Sequence, residues 1–209
     1  MEDSVVYFRD DDLGITDKLL KDYLQVWIDT DTKVNLECIP ARLEPSTVKL
    51  LNSLGYNNFE IHQHGVSHLE YEPWNEFPAS RSLEAVESSI DTGIRKLDKE
   101  FGVNFKKFFT PPWHNLNQKF YDLIYKKFIG ISPIDIPIHI DMRIRDSQGP
   151  RWKTLAELKE EYNRIKELPQ IGILLHHYLY NKQEDLQILK EFLQFLKNER
   201  EFKFFSELF

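Results

Sequence analysis

Short apolar runs alternate with longer amphipathic segments along most of the chain. The short runs are typical of buried strands, whereas the longer segments place apolar residues every three or four positions, as amphipathic helices do. The predicted strands cover residues 5–9, 34–39, 59–63, 105–109, 128–132, 136–142, 171–175 and 202–205. The predicted helices cover residues 17–28, 45–54, 81–101, 118–127, 155–168 and 184–197.

This alternation predicts an α/β fold in which parallel strands are covered by helices. About seven strands within 209 residues favour a compact, distorted (β/α) barrel that forms a single domain over residues 1–209. An open doubly wound sheet is the alternative architecture. In both architectures, reactive groups gather at the carboxyl ends of the strands.

Polar side chains follow four of the predicted strands at the point where each strand ends. Because the carboxyl ends of parallel strands meet at one rim, we expect these groups to lie close together. They are the carboxylates of residues 10–12, His64 and His68, the segment 111–114, and the pair His176 and His177.

One long irregular stretch, residues 69–80, carries the sequence LEYEPWNEFPAS and is rich in aromatic and acidic residues. Loops of this length inside compact domains often have a function. We therefore expect this loop to form part of a pocket wall.

Composition excludes several classes of protein. With 34 acidic and 27 basic residues, the net charge of -7 argues against a protein that binds nucleic acid through its phosphates. The single cysteine, Cys38, cannot form an internal disulfide or a cysteine-rich zinc site, which leaves nitrogen and oxygen ligands for any metal. The start MEDSVVYF lacks the pattern of a signal peptide, and no apolar segment approaches the ~20 residues of a membrane helix. We therefore expect a cytoplasmic protein.

Three adjacent carboxylates, Asp10, Asp11 and Asp12, directly follow the first predicted strand. Three neighbouring like charges repel one another, so they are costly unless a cation or a proton is shared among them. The alternative is an Asp-rich turn that caps the following helix, with Gly14 as the turn residue.

The segment HQHGVSH places His64 and His68 four residues apart. If the chain turns helical after the strand, both imidazoles lie on one face, which is the geometry of two-histidine metal sites. A carboxylate from another strand would complete an open site of the kind that suits catalytic zinc or a similar ion. The alternative is that His68 caps a helix or packs in the core. Strand alternation places His62 on the same face as His64, beneath such a site.

Other candidates lie at the later strand ends. The prolines before Trp113 stiffen the backbone, and Trp113 could either stack on a sugar ring or cover the end of the barrel. One of His176 and His177 should point into the barrel mouth, where it could act as a general acid. Asp141 fits a buried carboxylate that orients a catalytic histidine, although an ordinary strand-end carboxylate fits equally well.

The order of these segments resembles the polysaccharide deacetylases, which are the NodB-homology carbohydrate esterases. Their motifs are an Asp-Asp pair after the first strand, a His-x-x-x-His segment, a proline-rich loop and a late Leu-x-His strand end. The matching segments here are residues 11–12, 64–68, 110–113 and 174–176. The wider pattern is closer still to a less-studied branch with RxDD, QHGxxH, PPW and HH motifs, and it spans residues 8–177.

The resemblance implies a distorted (β/α) barrel and a metal-dependent deacetylase that acts through a metal-activated water. Asp12, His64 and His68 would bind one divalent ion, with zinc as the first choice and cobalt, nickel, manganese or iron also accommodated. Asp11 would be the base that activates the water.

The same resemblance assigns roles to two further segments. His176 would protonate the leaving amine, and the backbone around Pro112 and Trp113 would contribute an oxyanion contact. The substrate would be an N-acetylated sugar or polysaccharide, so the expected partner is a small molecule or an oligosaccharide. Neither nucleic acid nor a membrane is expected, and no pattern in the chain indicates an oligomeric state.

The chain departs from the family pattern at three points. The run of three aspartates permits another register, in which Asp10 is the base and Asp11 is the ligand. Thr110 stands where better-known relatives carry an arginine that steadies the catalytic carboxylate. Arg9 or Arg81 could take over this role. Gly65 follows the first histidine, where a serine or threonine is usual.

Two alternatives to the deacetylase remain at this point. One is a catalytically silent sugar-binding or scaffold protein that retains the barrel. The other is a metal-dependent amidohydrolase that acts on a non-carbohydrate amide.

Overall fold

The computed structural model describes residues 4–16, 18–146, 149–179 and 182–209. Eight strands form one sheet, and two further strands form an antiparallel hairpin. The sheet contains β1 Val5–Leu13, β2 Val34–Cys38, β3 Phe59–His64, β4 Phe105–Thr110, β5 Gly130–Ile131, β6 Ile140–Asp141, β9 Gln170–Leu175 and β10 Glu201–Phe202, and the hairpin contains β7 Arg143–Asp146 and β8 Gly149–Trp152. The helices are α1 Leu20–Thr30, α2 Pro45–Leu54, α3 Leu83–Phe101, α4 Tyr121–Tyr125, α5 Leu155–Ile165 and α6 Gln183–Lys197.

The strands of the sheet follow the order β5-β4-β3-β2-β1-β9-β6, and β10 pairs with β1. Each of these pairings is parallel among the residues that the structure describes. Every residue of β2 and β3 is buried, as expected for parallel strands covered on both faces. The result is a half-barrel of parallel strands, which confirms the predicted distorted (β/α) barrel.

Local signals explain where several helices begin and end. Pro45 stands at the start of α2, where its fixed φ and missing N–H cost nothing, and Gly55 ends the helix with φ 78°. The Ser82 hydroxyl caps α3, and a capping box between Thr154 and Glu157 opens α5.

The structure differs from the predicted elements at several places. β1 continues through the three aspartates to Leu13, four residues beyond the predicted strand, because it still pairs with β2 there. α1 begins at Leu20 rather than at residue 17, which lies outside the described residues. Of the strand predicted at 136–142, only the two residues of β6 pair with β9. The hairpin of β7 and β8 was not predicted, because its sequence is largely polar and lacks an apolar alternation.

The C-terminal segment packs against residues of β1, β3 and β4. Phe205 is buried and packs edge-on against Tyr7 and Phe108, and its ring stacks on His62 at 4.8 Å. His62 therefore lies inside the barrel, where its two ring nitrogens contact Glu37 and Glu60 at 3.0 and 2.7 Å. No helix within the described ranges is both long and apolar enough to cross a membrane.

Candidate metal and catalytic site

The carboxyl ends of β1, β3, β4 and β9 surround a cavity of about 520 Å³. Polar groups from these strand ends line it, as the parallel topology predicts. They include Asp11, Asp12, His64, His68, His114 and His176.

Three of these side chains converge on a single point. Asp12 Oδ1 lies 3.4 Å from His64 Nε2 and 3.2 Å from His68 Nε2, and one ligand atom from each residue lies within 4.8 Å of the others. Tetrahedral zinc, with Zn–N and Zn–O distances of about 2.0–2.1 Å, separates neighbouring ligand atoms by about 3.3 Å. The donor set and its spacing therefore fit one divalent ion.

A backbone contact orients the His64 imidazole, and a contact with an aromatic side chain orients that of His68. His64 Nδ1 donates to the Thr110 carbonyl oxygen over 3.1 Å, which leaves Nε2 as the nitrogen that faces Asp12. The chain does not turn helical between His64 and His68, although a helical turn was the expected way to bring both imidazoles to one face. His68 reaches the site through a loop in which Gly65 and His68 have φ of 54° and 56°, and its ring packs on Trp113 at 4.2 Å.

The charges around this point favour a cation. Burial raises the pKa of Asp12, but His64 and His68 outweigh it, and the net pKa lies well below the ordinary value. Burial lowers the pKa of His64, but Asp11 and Asp12 outweigh it and raise the pKa to about 9. Burial and the neighbouring His64 lower the pKa of His68. Protons and metal ions compete for such groups, so the same charges favour a bound metal ion.

Asp11 is held by Arg9, which lies two residues earlier on the same strand. Arg9 Nε contacts Asp11 Oδ1 at 2.8 Å, Nη2 contacts Oδ2 at 2.9 Å, and Nη1 donates to Ser132 Oγ at 2.8 Å. Burial raises the pKa of Asp11, but the Arg9 guanidinium outweighs it, so the net pKa lies below the ordinary value. Arg81 lies elsewhere, with its guanidinium 4.2 Å from the centre of the Tyr71 ring.

Asp10 faces a different partner. Its carboxylate accepts the His177 backbone N–H at 2.8 Å, and Oδ2 contacts His177 Nδ1 at 2.9 Å. Burial raises the pKa of Asp10, although His177 partly offsets that effect. The three adjacent aspartates thus have three separate partners: Asp10 with His177, Asp11 with Arg9, and Asp12 with the two histidines.

A bulge near the end of β1 makes this separation possible. The register between β1 and β2 shifts between Asp10 and Leu13, and Asp12 adopts φ 73°. A bulge breaks the alternation of side chains and can aim a side chain toward a site. Asp11 and Asp12 consequently both line the cavity.

The two late histidines face different surroundings, as expected: His176 lines the cavity, whereas His177 contacts Asp10. His176 lines the cavity with Asp11 and Asp12, and its buried Nδ1 has no hydrogen-bond partner among the described residues. Burial lowers the pKa of His176. Asp141 contacts neither histidine by a hydrogen bond within the described ranges, and it accepts the backbone N–H of Arg143 at 2.8 Å.

Backbone strain is concentrated around the cavity. Of the six non-glycine residues that have positive φ within the described ranges, five line it, and the sixth, Asp31, caps a helix. The five are Asp12, His68, Trp74, Trp113 and His114. This conformation costs on the order of 1–3 kcal/mol for each residue, and such residues cluster at functional sites.

Several cavity residues were given no role in the sequence analysis, including His114, which was expected at the rim only as part of the segment 111–114. His114 Nε2 lies against Arg9 Nη2 and 4.0 Å from Asp11, and burial together with Arg9 lowers its pKa to about 4. Trp74, Arg143 and Tyr178 complete the rim. The aromatic and acidic composition of the 69–80 loop indicated a pocket wall that would include Trp74. No sequence pattern indicated Arg143, which lies on the hairpin that was not predicted.

The half-barrel is similar in fold to solved structures described as a peptidoglycan N-acetylglucosamine deacetylase, a family 4 acetyl xylan esterase and a CE4 family pseudoenzyme. The Bc1960 peptidoglycan N-acetylglucosamine deacetylase superposes with a TM-score of 0.73 at 16% identity, covering 99% of this chain and 88% of that one. A family 4 acetyl xylan esterase from Clostridium thermocellum, solved with a cobalt ion, has a TM-score of 0.66 at 18% identity and covers 98% and 90%.

A third solved structure is BA3943, a CE4 family pseudoenzyme from Bacillus anthracis. It has a TM-score of 0.69 at 14% identity, covering 99% of this chain and 65% of that one. Neither a scan against protein-family models nor a search of curated proteins finds a match. At 18% identity or less, these three likenesses establish the fold and confirm the fold implied by the resemblance in sequence.

Proposed function

We propose that the protein is a divalent-metal-dependent deacetylase that hydrolyses the amide of an N-acetylated sugar or polysaccharide. The observation that carries the proposal is the meeting of Asp12, His64 and His68 at one point, beside Asp11 and His176 in the same cavity. Two imidazoles and one carboxylate leave coordination positions open, as catalytic sites require.

Asp12 Oδ1, His64 Nε2 and His68 Nε2 would hold the ion, with zinc as the first choice and cobalt, nickel, manganese or iron as alternatives. When bound, such an ion polarises the acetyl carbonyl and lowers the pKa of water. The hydrogen bond from His64 Nδ1 to the Thr110 carbonyl fixes the ring so that Nε2 remains available.

Asp11 acts as the general base. The two contacts with Arg9 keep its carboxylate ionised and fix its plane, and each oxygen retains a lone pair with which to accept a proton from the attacking water. Arg9 thereby takes the role that an arginine at the position of Thr110 has in the better-known relatives.

His176 acts as the general acid and delivers a proton to the leaving amine nitrogen. Burial lowers the pKa of His176, so its protonated form gives up the proton more readily than an ordinary imidazolium does. The backbone N–H of Trp113, whose φ of 54° sets its direction, contributes an oxyanion contact next to Pro112.

Aromatic side chains at the rim support a saccharide as the substrate. Trp74 is 60% exposed and Tyr178 is 48% exposed, and both line the cavity together with Trp113. Exposed aromatic faces around a polar pocket mark a binding surface, and flat rings suit the apolar faces of a sugar.

The test is amine release from N-acetylated chito-oligosaccharides by the purified protein, before and after complete chelation and after zinc is restored. We expect activity that is lost on chelation and recovered with zinc. Amine release that survives complete chelation would refute the metal-dependent mechanism, while release only from acetylated non-carbohydrate amines would support the amidohydrolase.

The second candidate is a catalytically silent sugar-binding protein. One protein with this fold, BA3943, is a pseudoenzyme, and this observation favours the second candidate. It predicts saccharide binding with no turnover. Turnover that Asp11→Asn abolishes while the metal content stays unchanged excludes it.

A further inference from the structure

A buried carboxylate, that of Glu76, lies under the loop that carries His68. Glu76 is 1% exposed and belongs to the buried part, residues 76–78, of the loop 69–80, whose remaining residues are mostly exposed. Its Oε1 accepts the Ser67 backbone N–H at 2.8 Å and the Ser67 hydroxyl at 2.9 Å. Its Oε2 accepts the backbone N–H groups of Val66 and His68, each at 3.2 Å. Three consecutive N–H groups therefore converge on one carboxylate.

This convergence replaces the hydrogen bonds that a helix or strand would supply. Residues 65–68 belong to neither, so without Glu76 these three donors would have no protein acceptor in the described part of the chain. Successive N–H groups that form a concave pocket bind anions, and hydrogen bonds to a charged acceptor are about twice as strong as neutral ones.

Gly65 makes room for this arrangement. A Cβ atom at Gly65 would lie 2.2 Å from Glu76 Oε2 and 2.5 Å from Pro112 Cγ, and the residue has φ 54°. Any side chain at this position would push the carboxylate out of its pocket. The glycine in place of the family's serine or threonine is thus explained by the position of Glu76.

We infer that Glu76 is a positioning residue for the metal site, an inference that rests on the proposed function. Glu76 accepts the His68 N–H, while Arg42 Nη2 donates to the His68 carbonyl oxygen at 3.1 Å. The backbone of His68 is therefore fixed from both sides in its strained conformation, with φ 56°. This places Nε2 3.2 Å from Asp12 Oδ1.

The test replaces Glu76 by Gln and measures binding of Co²⁺ to the metal-stripped protein, followed by the visible absorption of the bound ion. The amide keeps the size of the side chain but loses the charge and one acceptor, so the loop should loosen. We expect Co²⁺ affinity to fall by about 10- to 100-fold, the range found when outer partners of metal ligands are removed, with an altered absorption band.

The matched control is Glu72→Gln. Glu72 lies on the same loop, is exposed, and makes a side-chain hydrogen bond only to Ser80 among the described residues. We expect wild-type Co²⁺ affinity and spectrum from this variant. Should Glu76→Gln fail to fold, Ser67→Ala removes the hydroxyl contact with Glu76 and is expected to weaken Co²⁺ binding a few-fold.

The outcomes separate the two proposals. Wild-type protein that binds Co²⁺, together with Glu76→Gln that binds it with the same affinity and spectrum, overturns the role of Glu76 alone. A folded Ser67→Ala variant with unchanged binding counts against it in the same way. Wild-type protein that binds no Co²⁺ overturns the metal site itself and the role of Glu76 with it.

Discussion

Arg9 holds Asp11 through two contacts, an ion pair between Nε and Oδ1 at 2.8 Å and a hydrogen bond from Nη2 to Oδ2 at 2.9 Å. Both side chains are buried, and the third guanidinium nitrogen donates to Ser132. A two-point contact with a guanidinium restricts the orientation of a carboxylate as well as stabilising its charge. The base proposed for the reaction is therefore oriented from within its own strand.

Arg9→Lys is expected to lower kcat about 100-fold, because a lysine retains the charge but cannot contact both Asp11 oxygens and Ser132 with one rigid guanidinium. The metal content should stay unchanged, because Arg9 touches none of the proposed ligands in the described ranges. Steady-state kinetics together with metal analysis check both expectations.

Arg95→Lys is the control for this prediction. Arg95 is exposed, donates to the Thr92 hydroxyl at 2.9 Å and does not line the cavity, so kcat should change little. Equal losses of kcat in the two variants would contradict the assignment of Arg9 as the residue that holds the base.

Substitution of each aspartate by asparagine separates the roles in the run. Asp12→Asn should lose the metal ion, and Asp11→Asn should keep the ion but lose turnover. Asp10→Asn should do neither and instead lower the free energy of unfolding by about 3 kcal/mol, because it breaks the buried pair with His177. Metal analysis, kinetics and denaturant unfolding distinguish the three; loss of the ion from Asp11→Asn would favour the other register.

Much of the fold could be predicted because its signals are local. α2 begins at a proline and ends before a glycine, and its predicted bounds match the structure. β9 is an uninterrupted apolar run after its first residue, as a strand covered on both faces should be. The proximity of Arg9 to Asp11 also follows from strand alternation, which places residues two apart on one face.

The detail of the site depends on contacts that no local pattern encodes. Carboxylates are rare in strands, so the run of aspartates indicated a turn, whereas pairing with β2 extends β1 through it and the bulge separates Asp11 from Asp12. The spacing of His64 and His68 suggested a helix. The loop that replaces the helix depends on Glu76, which approaches from eight residues further along the chain.

Substitution of a proposed ligand is expected to cause loss of the metal ion, whereas substitution of a histidine outside the cavity is not. His64→Ala should bind less than about a tenth of the Co²⁺ held by the wild type, because a lost ligand leaves two donors for the ion. His139→Ala is the matched control, because His139 is exposed and its Nδ1 accepts the Gly172 N–H away from the cavity. Metal analysis after dialysis checks both, and retention of the ion by His64→Ala would refute the ligand set.

Trp74 tests whether the rim binds a saccharide. Trp74→Ala should raise KM for an acetylated oligosaccharide about tenfold, equivalent to about 1.4 kcal/mol, and leave kcat nearly unchanged, because a stacking surface contributes binding energy equally before and during the reaction. Leu69→Ala is the control on the same loop, since Leu69 is 56% exposed but does not line the cavity, and its KM should match the wild type. A fall in kcat without a change in KM would assign Trp74 to the chemistry of the site instead of to substrate binding.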